Sequence, residues 1–264
     1  IEELYDCEAD PKNLNNLADS PERQQALDRL RTALTQHMME TRDLGFLPEA
    51  MIWERLREDE TPMQMARDRQ RYDQKRLIEA ASRVGQARES QLITHLGDED
   101  AGVRYWSAVG FSASKQLSQA GLAALRQALG DSSVTVRIEA ANALARHGHV
   151  SAALPVLTGA LQDDNLAAVL HAARTIELLG EPARDAAAAM RATDERLKGL
   201  RPKDIPATVV LPGDLDMAMF IGFSINAFLE KVEKPAADSN ADAGQWIDLF
   251  DGLELYSASE LAKD

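Results

Sequence analysis

One segment of this sequence is written three times. Asp98-Glu-Asp-Ala-Gly-Val103-Arg104-Tyr-Trp-Ser107-Ala108 returns as Asp131-Ser-Ser-Val-Thr-Val136-Arg137-Ile-Glu-Ala140-Ala141. It returns again, more weakly, as Asp164-Asn-Leu-Ala-Ala-Val169-Leu170-His-Ala-Ala173-Arg174, with the anchor valines 33 residues apart. A fixed period of this length marks stacked units, none of which can bury its apolar face alone. Neighbours must therefore stack, and both ends of the stack need covering.

The units read as helix pairs. In the second, apolar periodicity predicts helices over Gln119 to Leu129 and Val134 to Arg146. In the third they fall over Ala152 to Leu161 and Leu166 to Leu179, with Gly148 and Gly180 at the helix ends where C-cap glycines belong. Ser107, Ala140 and Ala173 are small and in register, which lets adjacent helices approach closely. Leu77, Ala81 and Val84, then Leu92, Ile93 and Leu96, suggest a degenerate opening unit, and Pro182 to Leu197 the first helix of a closing one.

The flanks differ. Ile1 to Tyr5 alternates like a short strand and stops at Asp10-Pro11. Ser20-Pro21 opens a helix whose apolar face is Leu27, Leu30, Leu34 and Met38. A short helix near Met51 to Arg57 follows, then a capping box at Thr61-Pro-Met-Gln64. Beyond Leu200, Pro202, Pro206 and Pro212-Gly213 mark a connector. An apolar helix over Asp216 to Lys231, with Phe220, Ile221, Ile225 and Phe228 on one face, would cover the end of the stack. Pro235 to Gly244 reads as a linker, and Trp246 to Tyr256 as two short strands about Asp251-Gly252. The organisation expected is a tail segment at 1–47, a helical connector at 48–73, the repeat solenoid at 74–200, a capping segment and helix at 201–233, and a flexible tail at 234–264. The expected fold class is all-α: a solenoid of short helix pairs with a small strand-plus-helix N-terminal segment.

Net charge is −14, which repels phosphate backbones and anionic head groups, so neither nucleic acid nor membrane is expected as a partner. Cys7 is the only cysteine, which excludes an internal disulfide framework. The most apolar run, Met217 to Leu229, is too short for a spanning helix, which needs about 20 residues.

The most specific chemical feature is the repeated acid–base pair, Asp98 with Arg104 and Asp131 with Arg137. An aspartate in the turn before a helix meets exposed N–H groups, and an arginine fork from a neighbouring unit can bind it. The pair is read as a structural ladder, ending where Leu170 replaces arginine. Tyr105 and Trp106 interrupt an aromatic-poor repeat and form the candidate interaction surface, with core the preferred reading of Trp106. His147-Gly-His149 reads as helix-terminal histidines rather than half a metal site. No catalytic residue and no metal ligand is assigned.

The repeat resembles HEAT repeats of the bacterial, phycobilisome-lyase-like type, through Asp131, Val136-Arg137 and Ala140-Ala141-Asn-Ala143-Leu144. The likeness runs from about Leu77 to Leu197 and implies an α-solenoid. The first fifty residues resemble the C-terminal end of the sulfatase family, through Glu3-Leu4-Tyr5-Asp6, Asp10-Pro11, Asn15-Asn16-Leu17-Ala18 and the helix ending near Thr41-Arg42-Asp43. That resemblance implies a non-catalytic region following a sulfuric ester hydrolase domain, periplasmic or exported. The family's formylglycine motif and calcium-binding aspartates would lie in a catalytic domain outside this chain. Cys7-Glu-Ala9-Asp-Pro11 lacks the arginine of that motif and stands at the wrong end of the fold. No cofactor is therefore expected in this chain. The expected partner is protein: the chain's own catalytic domain or another molecule. The alternative is a free-standing HEAT-repeat scaffold for protein–protein interaction.

Overall fold

The computed structural model describes residues 2–200 and 213–233, with side chains from 217 onward in the last stretch. The expected connector around Pro206, the linker at Pro235 and the strand pair at Trp246 to Tyr256 lie outside the described residues.

Twelve α-helices form among the described residues: α1 Gln24–Thr41, α2 Glu49–Arg55, α3 Pro62–Arg67, α4 Gln74–Ser82, α5 Glu89–Leu96, α6 Ala101–Ser112, α7 Gln119–Ala128, α8 Val134–Arg146, α9 Val150–Ala160, α10 Leu166–Leu179, α11 Ala187–Leu197 and α12 Gly213–Glu233. They make an all-α, HEAT-like solenoid. The helices α4, α6, α8 and α10 form one layer; α5 and α7 pack together beside it, and α9 packs against α8 and α10.

Each second helix starts on a side chain that accepts from its own first turn. Asp100 takes the Gly102 N–H, Ser133 the Val136 N–H and Asn165 those of Ala167 and Ala168. These caps set the true register of the array. The step from Asp100 to Ser133 is one residue longer than that from Ser133 to Asn165. The third unit is therefore one residue short of the period read from the valines. Ser107 and Ala140 correspond to Ala172 instead of Ala173, and Asp131 corresponds to Asp163. Hydrogen bonding agrees, since Asp98, Asp131 and Asp163 each accept the N–H two residues on. Gly148 and Gly180 take positive φ, 84° and 62°, at the two helix ends.

The core is continuous from α5 to α12. Leu125, Ile138, Leu144, Leu157, Leu161 and Ile176 are fully buried, and alanines on α8 and α10 let the helices close on them. The helix α12 completes this core through Ala218, Ile221, Ile225, Phe228 and Val232. Phe220 does not share that face; it is exposed, because the buried stripe runs through 221, 225, 228 and 232 at helical spacing.

The N-terminal part differs most from expectation. No strand forms among residues 2–5. Leu4 accepts from the Leu17 N–H at 2.7 Å, but its own N–H goes to the Asn16 side chain at 3.0 Å, so a ladder never starts. Ser20 caps only a 3-10 turn, its hydroxyl turned to Glu22, and α1 begins at Gln24. Of the apolar face of α1 only Leu27 is buried, while Leu30 and Leu34 stand in solvent. A second, smaller core holds the connector. Leu47, Met51, Met65 and Tyr72 pack with Leu77, Val103 and Val136. The Tyr72 hydroxyl donates to the Asp43 carbonyl, and burial pushes its pKa up to about 12. Arg42 lies over the Tyr72 ring and donates to the carbonyls of Ala66 and Tyr72, which fixes the end of α1 against α3. The Thr61 capping box forms at the start of α3.

Candidate interaction surface

The arginine ladder is asymmetric. Arg104 on α6 binds Asp131 of the next unit with both prongs, Nε to Oδ2 at 2.7 Å and Nη2 to Oδ1 at 2.8 Å. Its remaining nitrogen donates to the carbonyls of Asp98 and Glu99 at 2.9 and 3.0 Å. The pair is largely enclosed, with side chains 12% and 9% exposed. Asp98 is held differently from the other side: a single nitrogen of Arg76 on α4, Nη2, donates to both its oxygens at 2.9 and 2.7 Å, while Nη1 goes to Glu99. Arg137 repeats only half of this. Its Nη1 donates to the carbonyls of Asp131 and Ser132 at 2.8 and 3.2 Å, yet it forms no ion pair with the third unit. The ladder thus ends at the arginine of the second unit, one step earlier than the replacement by Leu170 suggests, and in the register set by the caps it is Val169, not Leu170, that stands at the position of Arg137.

A strap made by α2 crosses the starts of three successive second helices. Arg55 Nη2 donates to Asp100 Oδ1 at 2.5 Å, at the cap of α6. Glu54 accepts the Thr135 N–H at 3.0 Å and its hydroxyl, in the first turn of α8. The Ala50 carbonyl accepts from Asn165 Nδ2 at 2.8 Å, at the cap of α10. A carboxylate here meets unpaired helix N–H groups and the positive end of the helix dipole, so Glu54 complements the site in charge as well as hydrogen bonding. Seven residues therefore tie together three successive units, each 45 to 115 residues further along the chain.

Tyr105 and Trp106 both lie beneath this connector. Trp106 Nε1 donates to the Phe46 carbonyl at 2.8 Å, and its ring meets Tyr105 edge-on at 5.4 Å. Trp106 is thus half-buried by the chain itself. Tyr105 lines a cleft beside the start of α2, together with Leu170, His171, Phe220 and Phe223, of about 510 Å³. Burial raises the Tyr105 pKa well above its ordinary value. His171 stands 3.6 Å from the buried Glu139, which also accepts from Ser112 and Asn142.

A second cleft, of about 830 Å³, opens on the other flank of α2, and Glu49 and Ala167 line both. Its floor is apolar, with Val134, Leu166 and Met217, and Trp53 forms one wall. Trp53 is 52% exposed, Phe220 48% and Phe223 58%, and these are the large aromatic side chains most open to solvent among the described residues. None of the three was singled out as a surface residue from the sequence. Trp53 lies in a helix too short to show periodicity, and Phe220 was placed on the inner face of its helix with Ile221, Ile225 and Phe228.

Residues 122–201 match the family model of HEAT repeats. The match begins at the first helix of the second unit and runs past α11, so the HEAT assignment and the stacked helix pairs rest on the same residues. HEAT repeats commonly serve as scaffolds for protein interaction. No curated protein matches the chain. Among the described residues no group of three or more His, Cys, Asp or Glu side chains is placed to hold a metal ion, and no helix is long and apolar enough to cross a membrane.

Proposed function

We propose that this chain is a HEAT-like scaffold that binds a protein partner, and that it serves as the non-catalytic region following a sulfatase-type hydrolase domain. The scaffold reading is carried by one observation: three large aromatic side chains are left in solvent around the strap of a fold whose other large aromatics are mostly enclosed. Aromatic anchors of this kind dominate the energetics of protein interfaces. The test is capture from the native source with the chain as bait, identification of the captured protein, and reconstitution from purified components. A purified partner that binds the folded chain at micromolar affinity or better supports the reading. Binding lost on purification, or seen only with the unfolded chain, overturns it.

The sulfatase placement is favoured by the unburied face of α1, where Leu30 and Leu34 have no cover among the described residues. A catalytic domain preceding this segment would supply that cover and would carry the nucleophile and calcium site itself. The coding sequence upstream of Ile1 decides this. A C/S-x-P/A-x-R motif with an acidic metal cluster is expected there, and its absence would leave the free-standing scaffold as the reading. The chain alone is expected to hydrolyse no aryl sulfate with calcium present, and measurable turnover would refute its non-catalytic role.

A further inference from the structure

We propose that the two clefts flanking α2 form one docking surface for a protein segment that carries a basic side chain next to apolar or aromatic ones. This deepens the scaffold reading by naming where the partner sits and what its chemistry is.

The surface a helical-repeat array offers along its second helices is already taken in this chain. The strap lies across the starts of α6, α8 and α10 through Arg55, Glu54 and Ala50. A partner reaching this layer therefore meets the edges of the strap, and the exposed aromatics stand there. Trp53 faces one cleft, while Phe220 and Phe223, edge-on to each other at 6.1 Å, line the other. Leaving such rings in water costs hydrophobic free energy that a partner would recover.

Charge selects the partner. Glu49, Asp163 and Asp164 line the Trp53 cleft, and none of them forms an ion pair within the described residues. Glu54, the fourth carboxylate there, is engaged by Thr135. Arg137 is the one cation lining that cleft, and its Nη1 is turned to the carbonyls of Asp131 and Ser132. An ammonium or guanidinium entering the cleft gains these carboxylates and the neighbouring Trp53 indole, a ring type that attracts cations. An acidic segment would meet local repulsion added to the net charge of −14. The Phe220–Phe223 cleft, with Tyr105 and Leu170, takes the adjoining apolar side chain.

The probe is a fluorescein-labelled amphipathic peptide bearing lysines with leucine and phenylalanine at helical spacing, titrated by anisotropy against the full chain. Two counterparts accompany it, one with glutamate for lysine and one with serine for leucine and phenylalanine. The basic apolar peptide is expected to bind, and both counterparts at least about tenfold more weakly. Trp53→Ala and the double change Glu49→Gln/Asp164→Asn are each expected to weaken binding about five- to tenfold. The charge-matched control Glu181→Gln/Asp185→Asn should change it less than twofold. Equal weakening by that control would mean that bulk charge alone attracts the peptide, and would overturn the proposal. So would an absence of binding, or binding untouched by Trp53→Ala in a chain with an unchanged melting curve. Sedimentation decides the remaining occupant: self-association abolished by Trp53→Ala would make a second copy the ligand and refute a basic partner. A reconstituted natural partner that binds Trp53→Ala and Phe220→Ala as tightly as the parent chain would leave the scaffold reading standing and remove this surface from it.

Discussion

At the scale of single residues, two arginines in equivalent sequence positions have different worth. Arg104 and Arg137 each follow an aspartate by six residues, but only Arg104 closes a two-pronged pair across a unit boundary. Removing one partner of an enclosed pair leaves the other charge unpaired, so Arg104→Ala should cost about 3 kcal/mol. Arg137→Ala forfeits bonds to carbonyls alone and should cost about 1 kcal/mol. Urea unfolding of the two variants measures this directly, and equal losses would show that the ladder geometry carries no energetic weight. Acid titration probes the same pair. Burial pushes the Asp131 carboxyl up, but hydrogen bonds from Arg104 and the Ser133 N–H, with the Arg104 charge, outweigh it and hold it below its ordinary value of 3.8. A carboxyl held low in the fold contributes stability that is complete above the unfolded value and is lost as pH falls through the folded one. Stability should therefore decline as pH drops below about 3.8, and Asp131→Asn should flatten that decline. A variant with the same acid limb as the parent would assign the loss to other carboxylates.

At the scale of elements, legibility in the sequence follows how local the causes are. The bounds of α8 and α10 were readable, because each has a polar cap, a long apolar period and a glycine beyond its end. The strap was not. Its seven residues are too few to show a period, and its bonds reach Asp100, Thr135 and Asn165, between 45 and 115 residues away. The α1 helix shows the opposite error: a clear period of Leu27, Leu30, Leu34 and Met38 promised a buried face, but Leu27 alone is buried, Met38 is half-buried, and Leu30 and Leu34 are exposed. Periodicity reports a helix and its apolar stripe, while cover depends on what lies opposite. These two elements should separate in hydrogen exchange. Helices in proteins draw most of their stability from packing of the apolar face, so the α1 amides should exchange fastest among those of the long helices. Glu54→Ala should cost about 1 kcal/mol, as loss of a helix cap does, and speed exchange in the first turn of α8. Protection of α1 equal to that of α8 in the full chain would show that its apolar face is covered after all.

At the scale of the molecule, the stack is held by what closes it. A repeat array lends each unit only its neighbours, so the last apolar face must be covered or the end frays. The need for a cap was legible from the loss of the repeat beyond Leu200, and so was the helix that supplies it; of the four residues read as its inner face, Ile221, Ile225 and Phe228 are buried and only Phe220 is not, because the phenylalanines of this helix fall on both sides. Phe228 is fully buried with Ile221 and Ile225 against the core that contains Ile176 and Met190, whereas Phe223, on the same helix, points into solvent. Phe228→Ala should therefore cost about 3–5 kcal/mol through the cavity it leaves, and Phe223→Ser less than about 0.5 kcal/mol. The two changes also separate cap from surface. Phe228→Ala should lower the protection of α10 and α11 before that of α6, since the loss enters from the end of the array, while Phe223→Ser should weaken only binding of a basic apolar peptide. Uniform loss of protection from α4 to α11 on changing Phe228 would mean that the units unfold as one, so that the cap contributes to a global core and not to a local end.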